Sequence, residues 1–146
     1  MRILLDSDVI LDLVLSRQPH FADARAIFHA IARREFLAFA SAIAILNVNY
    51  FAEKEKGRAF ALIEIGKLLL LISVCPTNES MLRNALTSPV TDYEDAVQCE
   101  SAMAMNLDGI ITRNTKDFEN SPIAVYSPGE FLHTLVREDM GSDDDG

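Results

Sequence analysis

Five short apolar runs, at residues 2–5, 36–40, 70–74, 109–111 and 124–126, recur along this chain with one or two helix-length segments between them. Runs this short and continuous suit strands buried on both faces better than helices. Strands separated by helices imply right-handed crossovers and a parallel sheet between helix layers. The segments between fit that layout. Ser7 is placed to cap a helix with Val9, Ile10, Leu13 and Val14 on one face, and residues 21–33 are alanine-rich with apolar residues at helical spacing. Ser41 precedes a helix over 42–56, Gly57 breaks the chain, and 58–69 resumes as helix. Thr77 or Asn78 opens 79–86, Thr91 or Asp92 opens a helix to 105, and Pro128 leads a last helix to 137.

At 146 residues the chain fits one domain able to bury a core. The domain is expected over 1–137, followed by an acidic, disordered tail over 138–146. That tail holds Glu138, Asp139, Asp143, Asp144 and Asp145 and no Lys or Arg. It accounts for 5 of the 9 net negative charges, leaving a body of 17 acids and 13 bases, or −4. An acidic balance argues against a nucleic-acid partner unless the acids cluster at a cation site. No apolar stretch approaches the about 20 residues of a membrane-spanning helix, and no leader pattern opens the chain. Cys75 and Cys99 have neither metal-ligand nor C-x-x-C spacing, which suits reduced thiols and a cytoplasmic location.

Chemistry concentrates where strands end, the edge at which open α/β sheets place their ligands. Asp6 ends the first strand, and a carboxylate buried there needs a cation or hydrogen bonds. Asp8 follows in the first turn of the helix, where the helix dipole alone would also favour it. Asp12 reads as a solvated side chain. Asp92 and Asp95, three apart, point to one face at a helix start, an arrangement that capping also explains. Glu94 is expected to point away to solvent. Thr112, Arg113 and Asn114 leave the fourth strand, with Asp117 just beyond, although a plain turn uses such residues too. Convergence of the three clusters on one cleft would make an all-oxygen site for Mg²⁺ or Mn²⁺ and suit metal-assisted phosphodiester hydrolysis. His20, His29 and His133 are scattered, and no acyl-transfer nucleophile pattern is present. Arg17, Arg113 and Lys116 are the basic candidates for contact with a phosphate backbone.

These residues resemble the PIN domain, the nuclease fold of many toxins of the VapC type. Leu5-Asp6-Ser7-Asp8-Val9 is similar to the family's opening motif. The segment from Ser41 to Asn47 resembles its second, Asp95-Ala96 its third, and Thr112-Arg113-Asn114 with Asp117-Phe118 its fourth. The resemblance runs from Ile3 to about Leu132. It implies a three-layer α/β/α fold with a five-stranded parallel sheet ordered 3-2-1-4-5. It also implies Mg²⁺ or Mn²⁺, an RNA substrate, a homodimer and, for a toxin, a restraining antitoxin protein. Asp6, Asp95 and Asp117 match acidic metal-site positions; Asp8 and Asn114 match supporting positions, with Ser7 or Thr112 orienting ligands or phosphate. One position departs. The second motif usually ends in Glu and here reads Asn47, so Asp92, one turn before Asp95, is the expected source of the missing carboxylate. Asn47 together with Asp92-x-x-Asp95-Ala96-x-Gln98 resembles a subfamily of these domains. The alternative is a catalytically inactive PIN-like module that binds RNA or protein, motivated by Asn47 and the −9 charge; a small-molecule phosphatase would need an aspartyl nucleophile and a Lys partner, and no Lys is assigned to that role.

Overall fold

Alternate residues of the short strands carry the architecture. The computed structural model describes residues 1–144, with side chains described to residue 141. In β1 (Arg2–Leu5), Ile3 and Leu5 face one way and Leu4 the other, as the two-residue period of a strand requires. β2 (Leu37–Ser41) divides Ala38 and Ala40 from Phe39, and β4 (Gly109–Ile111) divides Ile111 from Ile110. Each face therefore carries its own core. On one side lie α1 (Ser7–Val14), α2 (Phe21–Ala32), α3 (Ala42–Lys56), α4 (Arg58–Leu71) and the first turns of α7 (Pro128–Asp144), packed through Ile10, Ile27, Val48, Leu68 and Phe131. On the other lie α5 (Glu79–Ala85) and α6 (Tyr93–Ala104), packed through Ala85, Val97 and Ala102. Each fully buried Leu, Ile or Phe contributes about 1.5–3 kcal/mol, so the sheet is held from both faces.

The sheet has five parallel strands in the order β3-β2-β1-β4-β5, with β3 at Ser73–Cys75 and β5 at Ala124–Tyr126. The expected order 3-2-1-4-5 is the observed one. β1 is central and β4 lies beside it, pairing Leu5 with Ile111; the ladder extends one step further, with the Asp6 N–H donating to the Ile111 carbonyl at 3.0 Å. Asp6 and Thr112 are thereby set side by side at the C-terminal edge, where the strand order reverses.

Three local expectations shift. The run at 70–74 is not all strand: α4 continues to Leu71, Ile72 ends it, and pairing begins at Ser73 opposite Phe39. A continuous apolar run gives no periodic mark where a helix ends and a strand starts. Ser7 does not cap α1; Asp6 does, its Oδ1 accepting the Ser7 N–H at 2.8 Å. The last helix continues past Arg137 to Asp144, because the residues just after Arg137 include good helix formers and no Pro. Residues 145 and 146 of the expected tail lie outside the described residues. Among the described residues no helix is long and apolar enough to cross a membrane.

Candidate active site

Two polar anchors at the C-terminal edge converge on Asp6, which is 8% exposed. Its Oδ2 accepts the Thr112 hydroxyl at 2.8 Å, and its Oδ1 accepts the Gln98 amide Nε2 at 3.3 Å in addition to the Ser7 N–H. A buried carboxylate with three donors is tolerable where an unpaired one is not. Thr112 also lies 3.4 Å from Asp8 Oδ2, but one hydroxyl has one proton, and the shorter contact to Asp6 takes it. The same hydroxyl oxygen accepts the Asn114 N–H at 3.0 Å, so the exit from β4 is knotted onto Asp6.

Gln98 brings in the second acidic cluster. It is 1% exposed on α6, and its Nε2 donates to both Asp6 Oδ1 and Asp95 Oδ1, the latter at 3.5 Å. The Ser41 hydroxyl reaches the Gln98 carbonyl end, also at 3.5 Å. Asp6 and Asp95, 89 positions apart in the chain, are therefore neighbours across one amide. Gln98 was visible only as part of the subfamily-like pattern. A polar residue one turn after Asp95, on the same face of the helix, is the signal for its role.

Asp92 caps α6, its Oδ1 accepting the Asp95 N–H at 3.0 Å. Asp117 stands exposed in a 3-10 turn, Thr115–Phe118, close enough for its charge to act on Asp95. The Asp95 carboxyl is pushed up to about 7, first by burial and then by repulsion from Asp6, Asp92, Asp117 and Glu94. Asp8 is likewise raised to about 7, by burial and then by Asp6, against the opposing pull of the Arg113 charge and of backbone amides. Its Oδ2 accepts the Arg113 N–H at 3.1 Å and the Asn114 Nδ2 at 3.3 Å. Its Oδ1 is buried and has no partner among the described residues.

Several residues differ from their sequence-based placement. Asp12 is not solvated: it is 1% exposed and receives the Arg113 guanidinium through Nε at 2.6 Å and Nη2 at 3.3 Å. Arg113 is thus committed to the interior, and Arg17 pairs with Glu55 at 3.5 Å, while Lys116 stays exposed. Glu94 is exposed but does not merely face solvent, because its Oε1 accepts the Asn47 Nδ2 at 2.8 Å. Ser7 enters through its backbone N–H.

The donors are all oxygens, hard ligands of the kind Mg²⁺ and Mn²⁺ take. Burial first, and repulsion between neighbouring carboxylates after it, raises Asp8 and Asp95, and one buried carboxylate oxygen lacks a hydrogen-bond donor; a divalent cation would offset the repulsion and could meet the unpaired oxygen. The set fits such an ion in chemistry and charge, although among the described residues no three His, Cys, Asp or Glu side chains are drawn into a ready-made cage.

Among solved structures, the chain resembles VapBC2 from Rickettsia felis, solved bound to a DNA fragment from its promoter. The identity is 16% and the TM-score 0.66, covering 87% of this chain and 98% of that one. A toxin–antitoxin complex from Klebsiella pneumoniae matches at 21% identity and TM-score 0.66, covering 86% and 97%. VapC20 of Mycobacterium tuberculosis, a sarcin-ricin loop cleaving toxin, matches at 10% and 0.59, covering 74% and 86%. At such identities the likeness speaks for the fold. No curated protein sequence matches the chain. The PIN domain model matches residues 2–116, which take in β1 through β4, Asp6, Asp95 and Thr112, and this chain belongs to the PIN domain family.

Proposed function

We propose that this protein is a divalent-metal-dependent ribonuclease and the toxin component of a toxin–antitoxin pair. The observation that carries the reading is the Gln98 amide, which donates to Asp6 and Asp95 together at the switch point of the sheet. Asp6 and Asp95 would hold Mg²⁺ or Mn²⁺, with Asp117 and Asp92 adding charge around it. Such an ion supplies Lewis-acid polarisation of a phosphoryl oxygen and activation of water. Thr112 keeps Asp6 Oδ2 oriented, Gln98 sets the spacing of the two carboxylates, and Asp8 holds the 112–114 turn in place. With Arg113 and Arg17 already paired, Lys116 is the exposed cation nearest this edge in sequence and the candidate for contact with the RNA backbone.

The partner part of the reading is supported by surface chemistry. Leu46, Tyr50, Leu62, Ile63, Leu69 and Leu70 of α3 and α4 are exposed, Leu70 by 87%. Exposed apolar surface on this scale marks an interaction face. It suits an antitoxin segment or a second copy of the chain, and the solved relatives named above include toxin–antitoxin complexes.

Cleavage of a labelled RNA with Mn²⁺ tests the assignment. Asp6→Asn and Asp95→Asn should each lower the rate by more than about 100-fold with circular dichroism unchanged, since losing a group that only supports a metal ligand already costs about 10- to 100-fold. If both variants cut as well as wild type, the site is wrong. Wild-type protein that binds RNA without cutting it in Mn²⁺ would favour the inactive module instead.

A further inference from the structure

We propose that Glu94, held by the Asn47 amide, is a further acidic group of the cation site and carries the charge that position 47 lacks. The inference rests on the metal-dependent reading above. Asn47 is a half-buried residue of α3, and Glu94 lies in the first turn of α6; the 2.8 Å bond between them crosses 47 positions of chain. A carboxylate only accepts, so the amide must present Nδ2 to it, and the orientation of Asn47 is thereby determined. Nδ2 cannot ligate a cation while donating. Asn47 therefore acts by placing a carboxylate, and only one of the two Glu94 oxygens is used in doing so.

The surroundings give this bond a purpose beyond helix capping. Asp92 already occupies the cap of α6, so Glu94 is not needed there. Glu94 forms no ion pair among the described residues, and it adjoins Asp95 in the first turn of α6. Asp92, Glu94 and Asp95 open α6 together, and the Gln98 amide joins Asp95 to Asp6. Arg113, whose backbone N–H donates to the neighbouring Asp8, commits its guanidinium to Asp12. Anchoring one more carboxylate at this edge, with a neutral amide and not a Lys or Arg, adds negative charge that a cation from solution would offset.

Calorimetric titration with Mn²⁺ alone tests this without reference to cleavage. Glu94→Gln keeps an oxygen that can accept from Asn47 and removes only the charge; its Kd should rise about 10- to 100-fold, the range for groups around a metal ligand. Asn47→Ala should weaken binding in the same direction. The exchanged pair Asn47→Glu with Glu94→Asn restores one carboxylate to the pair and should recover to within a few-fold of wild type. Glu94 is exposed and its charge is repelled by its neighbours, so the metal-free melting temperature of Glu94→Gln should be no lower than that of wild type. An unchanged Kd in Glu94→Gln, with binding lost in Asp95→Asn, overturns this inference and leaves the nuclease reading standing. Failure of the exchanged pair to recover also overturns it. Wild type that takes up no Mn²⁺ overturns both.

Discussion

Replacing Arg113 with Ala should destabilise the fold well beyond the cost of a surface change. Arg113 grips Asp12 with two nitrogens, and Asp12 is 1% exposed. Truncating the arginine leaves an uncompensated charge in the interior, a change that costs about 3–5 kcal/mol in comparable buried pairs. The Arg113 side chain is itself 28% exposed, so water can reach the vacated position, and the lower end, about 3 kcal/mol, is expected. In a chain of this length that corresponds to roughly 6–12 °C in Tm. Urea unfolding followed by circular dichroism gives the number, and a double-mutant cycle gives its origin. Asp12→Leu in the Arg113→Ala background should recover much of the loss, because the penalty belongs to the stranded carboxylate. The reasoning is refuted if Arg113→Ala costs under about 1 kcal/mol, the value of an ordinary exposed pair, or if Asp12→Leu adds a second full penalty.

Other outcomes follow from the same geometry. Gly109→Ala should destabilise by about 1–3 kcal/mol, the usual cost of overpacking. A Cβ there would sit 2.9 Å from Tyr126 Cε2 and 3.1 Å from the Ala124 carbonyl oxygen, and the strand backbone cannot yield; unchanged urea stability would refute it. Stability in EDTA should depend on pH through Asp8 and Asp95. Their carboxyls rise from 3.8 to about 7 on folding, so the native state binds more protons than the unfolded chain between those values, and stability falls as pH rises through that window. Mn²⁺ should therefore raise Tm more at about pH 8 than at about pH 5, and Asp8→Asn should flatten the EDTA profile; an EDTA profile that rises over the window in wild type and variant alike would contradict the assignment.

How much of the molecule is legible in the chain depends on whether a signal is local. The strands at Arg2–Leu5, Gly109–Ile111 and Ala124–Tyr126 stand where short apolar runs stop at polar residues, and Ser41 caps α3 as its position suggests. Parallel pairing delivers every strand's C-terminal end to one edge, so Asp6 and Thr112 could be placed together from sequence order and motif resemblance. Asp92 and Asp95 share a face because residues three apart on a helix do.

What tertiary structure alone decided are the partners of individual polar side chains. Asp12 is spaced along α1 like a surface residue, and only the return of the chain at Arg113 buries it. Glu94 is one charged residue among several until the folding of α3 against the sheet sets Asn47 beside it. Gln98 is one polar residue of α6 among several until β1 brings Asp6 within its reach. The boundary between α4 and β3 was settled by pairing with β2, since Leu69, Leu70 and Leu71 suit either element. Periodicity reports which way a side chain faces; what it meets there depends on contacts between residues far apart in the chain, which local pattern does not encode.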